Sequence, residues 1–176
     1  MDQKLERLFV VQHGERDKDV DEWLSENGKK QMEKIGLAIG EVLELEPVHI
    51  ISSTATRCRN SSIIISPYVN CDVGDIEFEP YLWPIQGAFD NDFERLYSMI
   101  KGLGRKNVIV VSHYEIASEL PSYVMKEEFS LEEEVGWPGY GGCVYIDMKT
   151  GSFEALPKGR VLNMGDYPSD PGKSCA

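Results

Sequence analysis

Leu8-Phe9-Val10-Val11-Gln12-His13-Gly14 is an apolar run closed by a polar residue, a histidine and a glycine. The run is continuous rather than alternating, which predicts a strand covered on both faces, as in a parallel sheet. Further along, Val108-Ile109-Val110-Val111-Ser112-His113-Tyr114 repeats the arrangement. Between the two, Val48-His49-Ile50-Ile51 leads into Ser52-Ser53-Thr54, and Arg57 follows in the first turn of the next helical pattern. In open α/β sheets ligands bind just beyond the carboxyl ends of the strands. His13 and His113, two of the three histidines in the chain, therefore fall where a pocket is expected. The helix start at Arg57 adds free backbone N–H groups and a positive dipole end, which suit an anion. One histidine after a strand is ordinarily a satisfied loop residue. Two at matching strand ends, with an arginine at the third, point to a phosphate or anion site.

The rest of the chain supplies the frame for such a sheet. Met32, Ile35, Ile39, Val42 and Leu43 recur at helical spacing from Ser25 to about Leu45, and Ser25 is the expected N-cap. A second helix is expected from Thr54 to about Ile65, stopped by Pro67. Residues 66–89 carry Pro67, Gly74, Pro80, Pro84 and Gly87 and read as loop with one short strand near Ile76-Glu77-Phe78. Helices are expected over 89–103 and 116–125. Cys143 to Asp147 and Phe153 to Leu156, joined through Gly151, read as an antiparallel hairpin. Alternating βα units followed by a hairpin imply an α/β three-layer sandwich: a mostly parallel sheet flanked by helices, with a C-terminal antiparallel hairpin at the edge. One domain is expected over residues 1–159, with a loose tail at 160–176.

Composition narrows the function. The 176 residues carry a formal charge of -12, which argues against a nucleic-acid binder, since phosphate backbones demand a basic footprint. No stretch approaches the ~18 apolar residues of a membrane span. Met1 to Arg7 lacks the apolar core of a secretory signal, and Cys58, Cys71, Cys143 and Cys175 lie far apart with no Cys-x-x-Cys pair. The expectation is a cytoplasmic protein with reduced thiols. No residue cluster has metal-ligand spacing, so neither a metal nor a cofactor is expected.

Four segments in register carry a family resemblance. Gln12-His13-Gly14-Glu15 is similar to the Arg-His-Gly-Glu opening of histidine phosphatases. Leu24-Ser25-Glu26-Asn27-Gly28-Lys29-Lys30-Gln31 resembles their Leu-Thr-x-x-Gly-x-x-Gln helix start. The segment from Ile51 to Ser61, with Arg57 at its centre, resembles their Ser-Ser-Pro-x-x-Arg-Ala-x-x-Thr, and Val110-Val111-Ser112-His113 resembles the strand that carries their second histidine. Order and spacing hold over roughly residues 7–157. The chain thus resembles the histidine phosphatase (phosphoglycerate mutase-like) superfamily. Its short middle region, its Trp137-Pro138-Gly139-Tyr140-Gly141-Gly142 lead-in and its final hairpin look most like the small phosphohistidine phosphatase-like group.

The resemblance implies a phosphohydrolase acting through a phosphohistidine on a phosphomonoester or phosphoramidate. His13 is then the nucleophile. Arg57 holds equatorial phosphoryl oxygens, and His113 donates to another. Gly14 admits the anion close to the backbone. Glu15 is the first candidate for the general acid and Glu115 a weaker one. Gln12 stands where the family has an arginine: it offers two N–H donors but no charge. Arg16 and Arg59 are the candidates to replace that cation. The substrate class implied is a phosphorylated small molecule or phosphoprotein. The rival reading, kept open by Gln12, is a catalytically weak or inactive member that binds a phosphorylated ligand or a protein partner.

Overall fold

The computed structural model describes residues 3–20, 22–84 and 89–164. Strand β1 (Arg7–Gln12) is followed by helix α1 (Glu26–Leu43), β2 (His49–Ser53), α2 (Thr56–Ile65), β3 (Glu77–Glu79), α3 (Phe93–Gly102), β4 (Asn107–Ser112), α4 (Tyr114–Phe129), β5 (Cys143–Asp147) and β6 (Ser152–Leu156). They form one six-stranded sheet in the order β3-β2-β4-β1-β5-β6. The first four strands are mutually parallel where they pair, whereas β5 runs antiparallel to β1 and β6 antiparallel to β5.

The continuous apolar runs are explained by burial on both faces. Leu8 and Val10 of β1 point into one core with Val108 and Val110 of β4, under Leu96 and Ile100 of α3 and Ile116, Leu120 and Val124 of α4. The alternate residues, Phe9, Val11, Ile109 and Val111, enter a second core with Met32, Ile35 and Ile39 of α1 and Ile65 of α2. The layers are therefore α3/α4, sheet, α1/α2. A strand buried on both sides has no reason to alternate.

Local signals set the helix ends. Ser25 accepts from the Gly28 amide and caps α1, which ends at Glu44 in the left-handed region, φ 49°. Helix α3 starts at Phe93 rather than at 89, because the Asp92 carboxylate takes the Arg95 amide and Phe89 leaves the helical pattern to stack edge-on against Tyr81 and Phe93. Helix α4 starts at Tyr114 and reaches Phe129, longer at both ends than the expected 116–125, and carries Pro121 inside it. Packing of its apolar face overrides the local preference. Among its described residues, the expected loop over 66–89 contains three 3₁₀ turns, and its short strand β3 pairs parallel with β2. Residues past Arg160, read as the start of a tail, remain tied to the body as far as Asn163, which exchanges backbone hydrogen bonds with Trp137.

Candidate active site

Parallel pairing of β1 and β4 places Gln12 opposite Ser112, so the next residue of each strand, His13 and His113, leaves the sheet side by side. The His13 amide donates to the Ser112 carbonyl at 3.0 Å, and the two imidazoles lie 5.3 Å apart, nearly edge to face. Both are 4% exposed. One phosphoryl group can touch both.

Arg57, in the first turn of α2, joins them. Its Nε donates to His13 Nε2 at 3.1 Å, and its Nη2 lies 3.3 Å from His113 Nδ1. Since a guanidinium is only a donor, both of those ring nitrogens are acceptors. His13 Nδ1, 2.8 Å from the Gly14 carbonyl, then carries the proton. His113 Nε2 carries its own proton toward Ser53 Oγ at 3.1 Å, with Cys58 Sγ 3.5 Å away. Burial, then the Arg57 charge, lowers the His13 pKa to about 3, despite the opposing hydrogen bond to Gly14. Burial, then His13, Arg57 and Arg16, lowers that of His113 to about 2. Both rings are neutral at ordinary pH. The N-termini of α2 and α4 also open here, and neither is capped by a side chain, so backbone N–H groups face the same space.

The other expected site residues separate. Arg16 is buried three residues after His13, and its charge is the smallest of the contributions that lower the pKa of both imidazoles. Arg59 is not at the site: it is exposed, with its guanidinium 4.2 Å over the Phe78 ring. Gln12 is buried, and its Oε1 accepts from the Trp137 indole N–H. Glu15 turns toward α1, where its carboxylate takes Asn27 Nδ2 at 2.8 Å and Ser25 Oγ at 3.4 Å. Glu115 is half-buried in the first turn of α4, and its charge contributes to the upward push on the Cys58 thiol, which burial raises to about 12.

Gly14 is also required by a close backbone contact. A Cβ there would stand 2.5 Å from the Gly28 carbonyl, and one on Gly28 would stand 2.2 Å from that of Glu15. The two glycines let the start of α1 press against the His13 loop. The Gly14 amide itself donates to Ser61 Oγ at 3.3 Å.

Tyr140 is a wall residue that the strand-end pattern misses, with its ring 5.6 Å from that of His13. Trp137 packs against Tyr140 and Tyr114. The loop carrying both is fixed by Gly141 N–H to the His13 carbonyl and by Arg160, which donates to the carbonyls of Gly141 and Tyr140 at 2.7 and 2.8 Å. Its signal in the sequence is glycine density around two aromatics: Gly136, Gly139 and Gly141 all have positive φ, which side chains resist.

No family model and no curated protein sequence matches the chain. Solved structures do. The protein histidine phosphatase SixA complexed with tungstate superposes with a TM-score of 0.59 at 19% identity, covering 85% of this chain and 93% of that one. Phosphoglycerate mutase from Plasmodium falciparum gives 0.55 at 16%, covering 92% and 95%. The mycobacterial glucosyl-3-phosphoglycerate phosphatase gives 0.54 at 15%, covering 85% and 96%. The chain has the fold of the histidine phosphatase (phosphoglycerate mutase-like) superfamily.

Proposed function

We propose that this chain is a phosphatase that works through a phosphohistidine on Nε2 of His13. One observation carries the reading: Arg57 binds the unprotonated nitrogens of His13 and His113 at once, so a phosphoryl oxygen entering between the rings takes over a ready-made fork of donors. His13 needs no base to attack, because its Nε2 lone pair is already free of a proton and its orientation is held by Gly14. The N–P bond forms as the bond from phosphorus to the leaving group breaks, and the leaving group takes a proton from solvent. Arg57 and the two helix N-termini stabilise the charge on the transferring group. Water then attacks phosphorus and gives up a proton, inorganic phosphate departs, and neutral His13 returns. The substrate is a phosphomonoester or phosphoramidate.

The binding-only reading retains one observation in its favour. Gln12 is engaged by Trp137 and supplies no charge where a cation would strengthen the pocket.

Turnover of a generic aryl phosphate by wild type and His13→Ala separates the two. The expected result is turnover in the first, undiminished by EDTA, and none in the second. Vanadate binding without turnover in wild type would favour the binding-only protein. Activity lost to EDTA and restored by a divalent ion would replace this mechanism with another.

A further inference from the structure

Beside the histidine pair, α4 and the chain leading to Trp137 enclose a groove of about 530 Å³. Tyr114, the residue after His113, and Trp137 form the end nearest the site, and Phe93 and Tyr123 extend the aromatic wall. Glu119, Glu133 and Glu134 line the opposite character of the same groove, together with Glu132. Lys126 is the one cation among the described residues lining it, and Glu132 holds it at 3.5 Å. Carboxylates interleaved with aromatic faces attract ammonium and guanidinium groups by both Coulomb and cation–π terms. They repel a polyanion.

We infer that this groove takes the lysine- or arginine-rich segment flanking the phosphorylated residue of a protein substrate. The inference rests on the phosphatase reading for the neighbouring pocket and names its substrate class. The size fits a peptide better than a lone amine, because about 300–1,000 Å³ is the range of sites that enclose a drug-sized ligand. The path fits as well. Ring contacts of 5.6 Å (His13 to Tyr140) and 6.3 Å (Tyr140 to Trp137) put the groove mouth within about 12 Å of the nucleophile. An extended chain covers that distance in about three to four residues. A phosphoryl group on Arg57 and basic side chains in the groove then bind as two linked sites on one ligand. The chain's charge of -12 steers the same partner in from a distance.

The test uses two phosphohistidine peptides that differ only at the second to fourth positions after the phosphorylated residue, Lys in one and Gln in the other. Wild type should show kcat/KM about tenfold higher for the Lys peptide. The combined Glu119→Gln, Glu133→Gln, Glu134→Gln variant should lose that preference. A control with Glu33→Gln, Glu41→Gln, Glu44→Gln, exposed residues of α1 and its end, changes net charge equally and should keep both the preference and the aryl phosphate turnover. Equal kcat/KM for the two peptides would overturn the inference. So would a preference that survives the groove variant or disappears in the control. If wild type turns over neither peptide nor aryl phosphate, the phosphatase reading falls separately. Fluorescence anisotropy with the phosphate-free Lys peptide at low salt then decides the groove: binding lost in the groove variant supports it, and no binding by wild type refutes it.

Discussion

Arg57 Nε lies 3.1 Å from His13 Nε2 and donates to it, so the fold holds a cation against the nitrogen that protonation would otherwise occupy. The consequence is a native state that refuses protons. Below pH 6.5 each imidazole of the unfolded chain takes up a proton, whereas native His13 does so only near about 3 and native His113 near about 2. The unfolded state therefore binds more protons through this window, and stability falls as pH falls. The slope approaches about 1.4 kcal/mol per pH unit for each histidine. Urea midpoints between pH 6.5 and 5.5, above most of the carboxylate titration, should show a falling trend in wild type and about half of it in His113→Asn. An equal slope in both proteins would mean that the pair is not held neutral.

Much of this arrangement was legible beforehand because period and position carry it. Val10-Val11 and Val110-Val111 are apolar on both faces only if both faces are covered, and parallel pairing then brings the residues after Gln12 and Ser112 together. Side-chain direction was not legible. Glu15 adjoins the nucleophile in sequence, yet a residue next to a strand end can turn either way, and here the start of α1 offers Asn27 and Ser25 as partners. Arg59 lies two residues from Arg57, but that spacing sets them on different sides of a helix, and Phe78 takes it. Tyr140 was hidden because a loop has no period to read, and its aim depends on Arg160, far along the chain.

The glycine pair is the tightest backbone contact at the site. Gly28→Ala would put a methyl group 2.2 Å from the Glu15 carbonyl oxygen, where neither partner is a flexible side chain. Overpacking of well-packed positions costs about 1–3 kcal/mol, and this contact belongs at the upper end or beyond. A lowered denaturant midpoint is expected, with anion affinity reduced in whatever fraction remains folded, since the His13 loop must shift. Wild-type stability in Gly28→Ala would show that α1 does not press on the loop.

Glu15 offers a test of the proton's source. With its carboxylate engaged by Asn27 and Ser25, it serves the junction of the His13 loop and α1 rather than the leaving group. Glu15→Gln should leave the dependence of kcat/KM on leaving-group pKa unchanged across a series of aryl phosphates. Rates should fall no more than a few-fold, and stability by about 0.5–1.5 kcal/mol for the altered hydrogen bonds. If Glu15 were the acid, its loss would steepen that dependence, with the poorest leaving groups slowed most.

Gln12 is the position where the chain departs from the family it resembles, and Arg16 is the candidate to supply the missing charge. Arg16 is buried and acts on both imidazoles, while Gln12 is turned to Trp137. If Arg16 is the relocated cation, Arg16→Ala should weaken vanadate binding by about tenfold to over a hundredfold, the worth of a hydrogen bond to a charged group. Arg59→Ala should leave the isotherm unchanged, because that guanidinium lies over Phe78. Gln12→Arg should give no tightening. The new guanidinium cannot accept from the Trp137 indole, which loses its buried partner, and it enters beside the Arg57 guanidinium that already engages both histidines. A gain of tenfold or more in Gln12→Arg, with Arg16→Ala neutral, would show instead that the pocket lacks a cation and that Arg16 serves the fold alone.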